Sequence, residues 1–450
     1  MNTDPSPTSP DDSVPGPSGS KGSAFRAIAW MLYDFGNSAY PTVITTAVYV
    51  IFFKKVVCTG LDAGESDKLW GYGNSAAALL VFLLGPTLGY LADRGGRKRR
   101  FFRILTLACA VFTAGLAMTG PGTIALAMCL VILSGFAMEA ANIFYNAFLP
   151  DLAKGAALTT LSARAWAFGY IGGLLCLLAV LPMVTEEETT TANMPWVILI
   201  VAAWYLMFTS PAMSTMPESE ASTEGDGRRP SLNPIQTLRH LGSLPDLRRF
   251  LLPFFFYMNA LNAIYVFAAA FAVDALGFTT SESVILIMLL NIVAAPGALL
   301  FARLAHPWGL RRALLLAVFL WIVTILLAIL VAWPGLLDPI GIARSEMANS
   351  RIGFWVVAVL ASLCIGSTQS LSRTFIGRLA PPGRSSEFFG FMAFSGRGSA
   401  ILGPLVFGLV SSLFSGDKRW ALAAMGAFFL VGFLGLLRVQ EPHVDGPDAA

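Results

Sequence analysis

The sequence has 450 residues, of which 56% are hydrophobic and only 13% are charged, and its mean hydropathy is +0.68. A soluble core needs a charged shell and a disordered chain needs low hydrophobicity, so this composition excludes both classes of protein. The formal net charge of +3 is too small a positive excess to hold nucleic acid.

The N-terminal segment, residues 1–24, is predicted to be a disordered cytoplasmic tail. Its first twenty residues contain five Pro and five Ser and no aromatic residue, so they offer almost nothing to bury. The segment does not resemble a signal peptide, because its first basic residue is Lys21 and the apolar run that follows is too long.

The remainder of the chain is a series of apolar runs long enough to cross a membrane, which requires about 20 residues of helix. Twelve such runs are predicted, at 25–53, 69–92, 101–119, 123–146, 161–183, 195–213, 248–272, 281–305, 311–333, 351–376, 388–414 and 419–438. The polar stretch 214–247 divides them six and six. The predicted organisation is therefore an N-terminal six-helix bundle over 25–213, a cytoplasmic linker over 214–247, a C-terminal six-helix bundle over 248–438 and a cytoplasmic tail over 439–450.

The distribution of Lys and Arg predicts the orientation. With both termini in the cytoplasm, cytoplasmic segments carry 22 of these residues and outer segments carry 7. Basic residues favour the cytoplasmic side, so both termini are predicted to be cytoplasmic. In a bacterium the membrane would be the cell membrane.

The two halves of the sequence resemble a duplicated unit. An offset of 231 aligns Gly135 with Gly366 and Gly172 with Gly403, whereas an offset of 213 aligns Gly96 with Gly309. Together with the six-plus-six pattern, these matches predict two pseudo-symmetric bundles around a central cavity, where transporters bind their substrates.

The loop after the second span carries the pattern G-x-x-x-D-R-x-G-R-K, from Gly89 through Asp93, Arg94, Gly96 and Arg97. It resembles the signature loop of the major facilitator superfamily, which implies a gate latch between the halves. The simpler alternative is a basic loop that only sets topology, although basicity alone requires neither Asp93 nor Gly96. The second copy has His306-Pro307 in place of Asp93-Arg94, so a weaker latch is expected there.

Several polar residues inside the spans are candidates for the substrate or proton pathway. Asp34 and Asn37 share one helix face, and Glu139, Asn142 and Asn146 form a polar stripe on the fourth span. The second half contributes Asn259, Asn262, Gln369, Arg373 and Arg397. Asp34 and Glu139 are the acidic residues found well inside predicted spans, and they are the candidate proton carriers.

Each of these charges also has a purely structural interpretation. Asp34 could bond locally within its helix, and Glu139 could form a buried ion pair with Arg164 or Arg397. Arg397 lies deep within its span, where an unpaired cation is unfavourable. Its alternative partners are a substrate carboxylate, Glu139 and Asp34.

The longer motifs resemble the vacuole-effluxer branch of the major facilitator superfamily, which includes fungal autophagy-related amino-acid effluxers and bacterial relatives. The matching segments are 33–40, 144–150, 369–373, 387–390, 395–397 and 403–404. In these relatives the seventh span tends to carry Asp-Gly where this chain has Asn259-Ala260, which removes an acid. The resemblance implies an all-α membrane protein with the major facilitator fold.

The predicted function is secondary active transport by alternating access, with a small solute as substrate, an amino acid as the leading candidate and a proton as a possible coupling ion. The alternatives are export of another small amphiphile or drug, and a sensor that has kept the fold. An enzyme is not predicted, because no nucleophile–base pair or metal-ligand cluster lies in the spans, and no phosphate-binding loop for ATP is present. The five cysteines are interpreted as small core residues. No cofactor, metal or nucleic-acid partner is expected, and the chain is expected to function as a monomer in the lipid bilayer.

Overall fold

The computed structural model describes residues 21–184, 187–218, 221, 234–276, 280–332, 351–415 and 417–441. Within these ranges the chain is helical apart from short connections, and the helices have the following bounds. They are α1 Lys21–Asn37, α2 Tyr49–Phe52, α3 Ala63–Arg94, α4 Lys98–Gly115, α5 Ile124–Ala147, α6 Leu149–Leu152, α7 Gly155–Val180, α8 Glu187–Thr215, α9 Pro234–Gly242, α10 Pro245–Leu276, α11 Thr280–Trp308, α12 Leu310–Ala332, α13 Arg351–Leu379, α14 Ser385–Leu413 and α15 Lys418–Leu436.

Eleven stretches of helix among the described residues are long and apolar enough to cross a membrane. The first of these stretches joins α1 to α2 through a π-helical segment, Tyr40–Ala47, that contains Pro41 near its start. The whole stretch ends at Val57. Proline lacks the N–H that an α-helix uses, which accounts for the local change in helix type. Helix α10 occupies the position of the seventh predicted span, although its side chains beyond Tyr265 lie outside the described residues. The all-helical fold with two six-helix halves is confirmed.

Two bundles pack side by side. In the N half, α1 to α8, the first helix packs on α7 and α8, and α4 packs on α5 and α8. In the C half, α10 to α15, the corresponding contacts join α10 to α14 and α15, and α12 to α13 and α15. The halves meet mainly where α3 packs on α14 and where α7 packs on α11 and α13.

Glycines at helix crossings repeat between the halves. A Cβ added to Gly172 would overlap the backbone of Phe35, and one added to Gly403 would overlap the backbone of Asn259. These contacts join α7 to α1 and α14 to α10, which are equivalent pairs in the two bundles. Small residues let helix backbones approach closely inside a membrane, so the two glycines aligned in the sequence have the same packing role.

The loop glycines repeat in the same way. Gly96 and Gly309, which the sequence aligns, have φ angles of 60° and 88°. These values lie in the left-handed region that glycine adopts without a steric penalty. Each glycine therefore turns the chain between two consecutive spanning helices.

Three predicted boundaries need correction. Helix α1 begins at Lys21, so the N-terminal tail is at least four residues shorter than predicted; residues 1–20 lie outside the described residues. The linker predicted over 214–247 contains the separate helix α9 and the start of α10. The tail predicted over 439–450 starts as packed structure, because the Glu441 carboxylate accepts hydrogen bonds from the backbone N–H groups of Leu310 and Arg311.

Candidate functional site

The end of the bundle where α8 runs into the linker is also the end where α3 finishes and α14 begins, and we call it the linker end. Arg103 Nε donates to the carbonyl oxygen of Met213 over 2.6 Å, which joins α4 to the last turns of α8. The polar contacts between the halves described next lie at this end or in the middle of the bundle.

Asp93 holds the two halves together at the linker end. Its carboxylate lies in the last turn of α3 and accepts hydrogen bonds from the backbone N–H groups of Ser386 and Glu387, at 3.3 and 2.8 Å. These N–H groups lie in the first turn of α14, where the positive end of the helix dipole favours an anion. Only 4% of Asp93 is exposed. A Cβ added to Gly89, one turn earlier, would overlap the backbone of Ser386, so glycine permits the close approach.

Lys98 forms a second link beside Asp93. Its ammonium donates to Asp151 at 2.6 Å and to the carbonyl oxygen of Ala147 at 3.2 Å, both in the N half. It also donates to the hydroxyl of Ser385 at 3.0 Å, in the C half. The side chain is almost fully buried, so three oxygen atoms replace its water shell.

The linker helix α9 contacts the same end through His240. The His240 Nε2 atom lies 2.6 Å from Glu387 Oε1, and Arg384 Nε donates to the other oxygen of that carboxylate over 2.9 Å. Glu387 is also the residue whose N–H binds Asp93. The linker helix and Asp93 therefore both contact Glu387.

Arg373 forms the most extensive polar link between the halves. From α13 its Nη1 donates to Asp34 at 2.9 Å and to Asn146 at 3.3 Å, while Nε and Nη2 donate to the hydroxyl and carbonyl oxygens of Ser162. The side chains of Arg373 and Asp34 are only 4% and 12% exposed. The ion pair is thus nearly dry and well hydrogen-bonded, which is the condition under which a buried pair is tolerated.

Three aromatic rings surround the same guanidinium. Its central carbon lies 4.8 Å from the ring centroid of Trp30, 5.3 Å from that of Trp166 and 5.8 Å from that of Tyr145. These distances fall within the range of cation–π attraction, about 6 Å. Trp30 and Tyr145 stack on each other, and the Trp30 indole N–H donates to the Tyr145 carbonyl oxygen, so the rings are fixed in place.

Arg397 and Glu139 form a direct ion pair in the middle of the bundle. Arg397 belongs to α14 in the C half and Glu139 to α5 in the N half, so this pair also joins the halves. The two side chains are 34% and 21% exposed, which is far more than Arg373 and Asp34. Charged groups at this depth avoid lipid, so their exposed surface faces the space between the halves.

Several polar side chains inside the bundle form hydrogen bonds of their own. The Asn37 amide donates to Asn142 at 3.2 Å, and the buried Asn37 Oδ1 has no partner among the described residues. On the C half, the Asn262 amide donates to the hydroxyl of Ser399 at 3.0 Å. The Gln369 amide donates to the hydroxyl of Tyr265 at 2.6 Å. These groups are partly exposed or buried at helix contacts, and they offer donors and acceptors near the middle of the bundle.

The structure sorts the predicted candidates into two separate groups. Glu139 pairs with Arg397, whereas Asp34 pairs with Arg373 rather than bonding only within its own helix or reaching Arg397. Arg164, one of the partners considered for Glu139, is exposed. The two carboxylates predicted as proton carriers therefore lie in different layers, Glu139 at the centre and Asp34 nearer the linker end.

Three predicted positions differ from expectation. Asn259 is fully buried and donates to the carbonyl oxygen of Phe255 on its own helix, beneath Gly403, so it does not face the central space. Arg94 and Arg97 are exposed, and in the described part of the chain Arg94 donates only to Tyr90 on the same helix. Within the signature loop the contact between halves comes from Asp93 and Lys98.

Sequence reasoning did not select Trp30, Tyr145, Ser162 or Trp166, nor the linker residue His240. Trp30 and Tyr145 are aromatic residues in strongly apolar helices, where core packing is the ordinary interpretation. Lys98 did carry a signal, because it closes the G-x-x-x-D-R-x-G-R-K pattern.

The comparison with known families and proteins agrees with this architecture. The family described as "Vacuole effluxer Atg22 like" matches residues 68–444. The chain is 28% identical over 422 residues to the uncharacterized MFS-type transporter YxiO of Bacillus subtilis, covering 92% of this chain and 94% of that one. It is 26% identical over 300 residues to autophagy-related protein 22 of Coccidioides immitis, covering 63% of this chain. The chain matches 48% of that fungal relative's length.

Among solved structures, the human organic anion transporter MFSD10 superimposes with a TM-score of 0.69 at 18% sequence identity. The match covers 92% of this chain and 98% of that one. At this identity the similarity concerns the fold alone, and it supports a major facilitator arrangement of the spanning helices.

Proposed function

This chain belongs to the family of Atg22-like vacuole effluxers and is an MFS-type transporter, and on that basis we propose that it moves a small carboxylate-bearing solute across the membrane by alternating access. An amino acid is the first candidate, because the relatives of this family include autophagy-related protein 22, and because the central site presents one cation and one anion.

The observation that carries the proposal is the partly exposed ion pair between Arg397 and Glu139. A guanidinium binds a carboxylate through two parallel hydrogen bonds, and a carboxylate binds an ammonium group. A zwitterionic amino acid could therefore replace the pair, with its carboxylate on Arg397 and its ammonium on Glu139. The exchange keeps both protein charges compensated, which an uncharged solute would not do.

The placement of the polar links supports alternating access. Asp93, Lys98 and Arg373 hold the linker end closed in this conformer, and each link joins the N half to the C half. A solute that binds differently to the two orientations shifts their populations. We propose that binding of the solute to Arg397 and Glu139 weakens these links and thereby opens the linker end.

Proton coupling is the finer part of the proposal. A proton on Glu139 would remove the negative charge that binds the ammonium group of the solute, and would therefore favour release of the solute. Glu139→Gln mimics the protonated state, so its uptake should not respond to a proton gradient, whereas uptake by the unaltered protein should.

The test is transport by purified protein in proteoliposomes, with a panel of labelled amino acids and with or without a proton gradient. Arg397→Lys keeps the charge but loses the planar fork, so affinity for the transported amino acid should fall at least tenfold while expression changes little. Arg397→Gln should fall further.

The ordinary packing role of the pair gives a different result. If Arg397 only stabilises Glu139, then Glu139→Gln should lower thermal stability and the double variant Glu139→Gln with Arg397→Gln should restore much of it, with no selective loss of affinity. A stable and fully active Arg397→Gln protein would refute the proposal.

We also propose that the linker end faces the cytoplasm, because the Lys and Arg distribution favours that side. The exposed positions Glu218 and Pro121 lie at opposite ends of the bundle. With the exposed Cys129 replaced by alanine, an impermeant thiol reagent applied to intact cells should label Pro121→Cys and leave Glu218→Cys unlabelled. The reverse pattern would overturn the orientation.

A further inference from the structure

Among the described residues, the groups that contact the Arg373 guanidinium all belong to the other half of the protein. Its carboxylate, amide, hydroxyl and carbonyl partners come from α1, α5 and α7, and so do the three aromatic rings around it. We call this set the guanidinium cage; its members are Trp30, Asp34, Tyr145, Asn146, Ser162 and Trp166. The cage therefore belongs to the N half, whereas Arg373, which occupies it, belongs to the C half.

The cage matches the chemistry of a guanidinium in detail. All three nitrogen atoms donate, Nη1 to Asp34 and Asn146 and the other two to Ser162. The rings of Trp30, Tyr145 and Trp166 lie within about 6 Å of the central carbon. An ammonium group lacks the planar set of donors that these positions require, so the cage favours a guanidinium over a simple amine.

We propose that, when the linker end opens, this cage becomes a binding site for the guanidinium group of a transported solute, with Arg373 acting as its internal competitor. The inference rests on the proposed alternating-access function. It adds a substrate class, namely a guanidino compound such as arginine, which the central pair alone does not specify.

Opening would leave the cage intact and empty. The cage helices all belong to the N half, so they would keep the rings and Asp34 together while α13 moved Arg373 away with the C half. An unpaired carboxylate between aromatic rings is unfavourable, and a cation from the open side relieves that cost. The solute would thus stabilise the open orientation through the contacts that Arg373 makes in the closed one.

The competition predicts a weak apparent affinity in the unaltered protein. A ligand that binds only the fraction of molecules with a vacant site has an apparent dissociation constant raised by the inverse of that fraction. Removing the Arg373 side chain should vacate the site permanently. Arg373→Gln should therefore bind arginine more tightly than the unaltered protein does.

The experiment measures equilibrium binding of labelled L-arginine to the full chain in detergent, with L-citrulline as competitor. Citrulline has the same backbone and chain but carries a neutral urea group. Arg373→Gln should bind arginine at least tenfold more tightly than the unaltered protein, and citrulline should compete at least tenfold less well than unlabelled arginine.

Arg378→Gln is the matched control. Arg378 also crosses between the halves at the linker end, where it donates to the Gly155 carbonyl oxygen and to the Thr159 hydroxyl, but it lies outside the cage. Loss of the Arg378 side chain loosens the linker end without vacating the cage. It should therefore not produce the tenfold increase in affinity for arginine. Adding Asp34→Asn or Trp30→Leu to Arg373→Gln should abolish the preference for arginine or reduce it several-fold.

A second measurement uses the cage with Arg373 in place. Thr159 is buried at the linker end, so labelling of Thr159→Cys in the Cys129→Ala background reports opening there. Arginine should accelerate this labelling and citrulline should not. This measurement decides the matter if Arg373→Gln does not fold.

Different results would overturn the cage proposal and the proposed transport function. Equal binding of arginine and citrulline by folded Arg373→Gln, or an increase that Arg378→Gln reproduces, would overturn the cage proposal even if the protein transports other amino acids. Absence of any transport in proteoliposomes, with selective arginine binding retained, would instead overturn the proposed function.

Discussion

At the scale of single residues, the charges inside the bundle are paired across the boundary between the halves. Asp34 pairs with Arg373, Glu139 with Arg397, and Asp93 with the N-terminus of α14. In the proposed mechanism every such pair would part as the halves separate, and a buried charge left without a partner costs several kcal/mol. The same groups that stabilise the closed linker end therefore set the free energy of opening.

Asp93 offers a direct test of that link. Asp93→Asn removes the negative charge that faces the α14 N-terminus and places an amide NH₂ near backbone donors, at a cost of about 1.5–3 kcal/mol. We expect transport to slow about tenfold or more, while equilibrium binding of the solute stays within a few-fold. Stopped-flow or filter uptake measures the first, and ligand binding in detergent the second.

Arg94→Gln is the control for Asp93→Asn, because Arg94 belongs to the same motif but is exposed and contacts Tyr90 on its own helix. It should transport normally. Loss of solute binding in Asp93→Asn, with the linker end still closed, would contradict the latch.

Residue patterns alone indicated which charges needed partners but not which partners they had. Asp34 and Arg373 are 339 positions apart in the chain, and their contact depends on how two bundles pack. The cost of burying Asp34 is visible in the sequence because it lies in an apolar run. The identity of its partner, and the ring cage around that partner, require the fold.

At the scale of helices, glycines and a short linker helix determine how the elements meet. The repeat of Gly172 and Gly403 was visible as a sequence offset, and the structure shows the same close helix contact at both. The linker helix α9 was not predicted, because its nine residues are too few for the periodic pattern of a spanning helix.

The glycine crossings predict a selective loss of stability. Gly403→Ala would drive a methyl group into the backbone of Asn259, and overpacking of this kind costs about 1–3 kcal/mol. The apparent melting temperature of the purified protein should fall. Gly408→Ala lies five residues later on α14 in open space, where alanine has the better helix propensity. Its melting temperature should stay the same or rise, and equal losses in both variants would argue against the crossing.

The linker helix predicts a local effect. His240→Ala removes the contact with Glu387, which is a hydrogen bond to a charged group worth about 1.5–3 kcal/mol. Amide hydrogen exchange over residues 234–242 should accelerate about tenfold or more, because the helix loses its attachment to α14. The exposed neighbour Arg239→Ala should leave exchange unchanged. Unaltered exchange in His240→Ala would show that other contacts hold α9.

At the scale of the whole molecule, composition and hydropathy predicted most of the architecture. Apolar run length defined the spans, and the central polar stretch defined the two halves, because lipid imposes helical structure on any spanning segment. Sequence analysis could not predict which end of the bundle the structure closes. That depends on the small free-energy difference between two packings of the same bundles, whereas the spans depend on the large cost of exposing a polar backbone to lipid.

The central claim is that transport requires the halves to part at the linker end, and a reversible cross-link tests it most directly. A Cβ on Gly85 of α3 would lie 3.8 Å from the Cβ of Ala393 on α14, which matches the mean Cβ separation of a disulfide, about 3.8 Å. The double variant Gly85→Cys with Ala393→Cys should transport when reduced, lose at least nine-tenths of its uptake when oxidised, and recover on reduction. Uptake by either single variant should not change when the oxidant is added. Undiminished uptake by fully cross-linked protein would contradict the account.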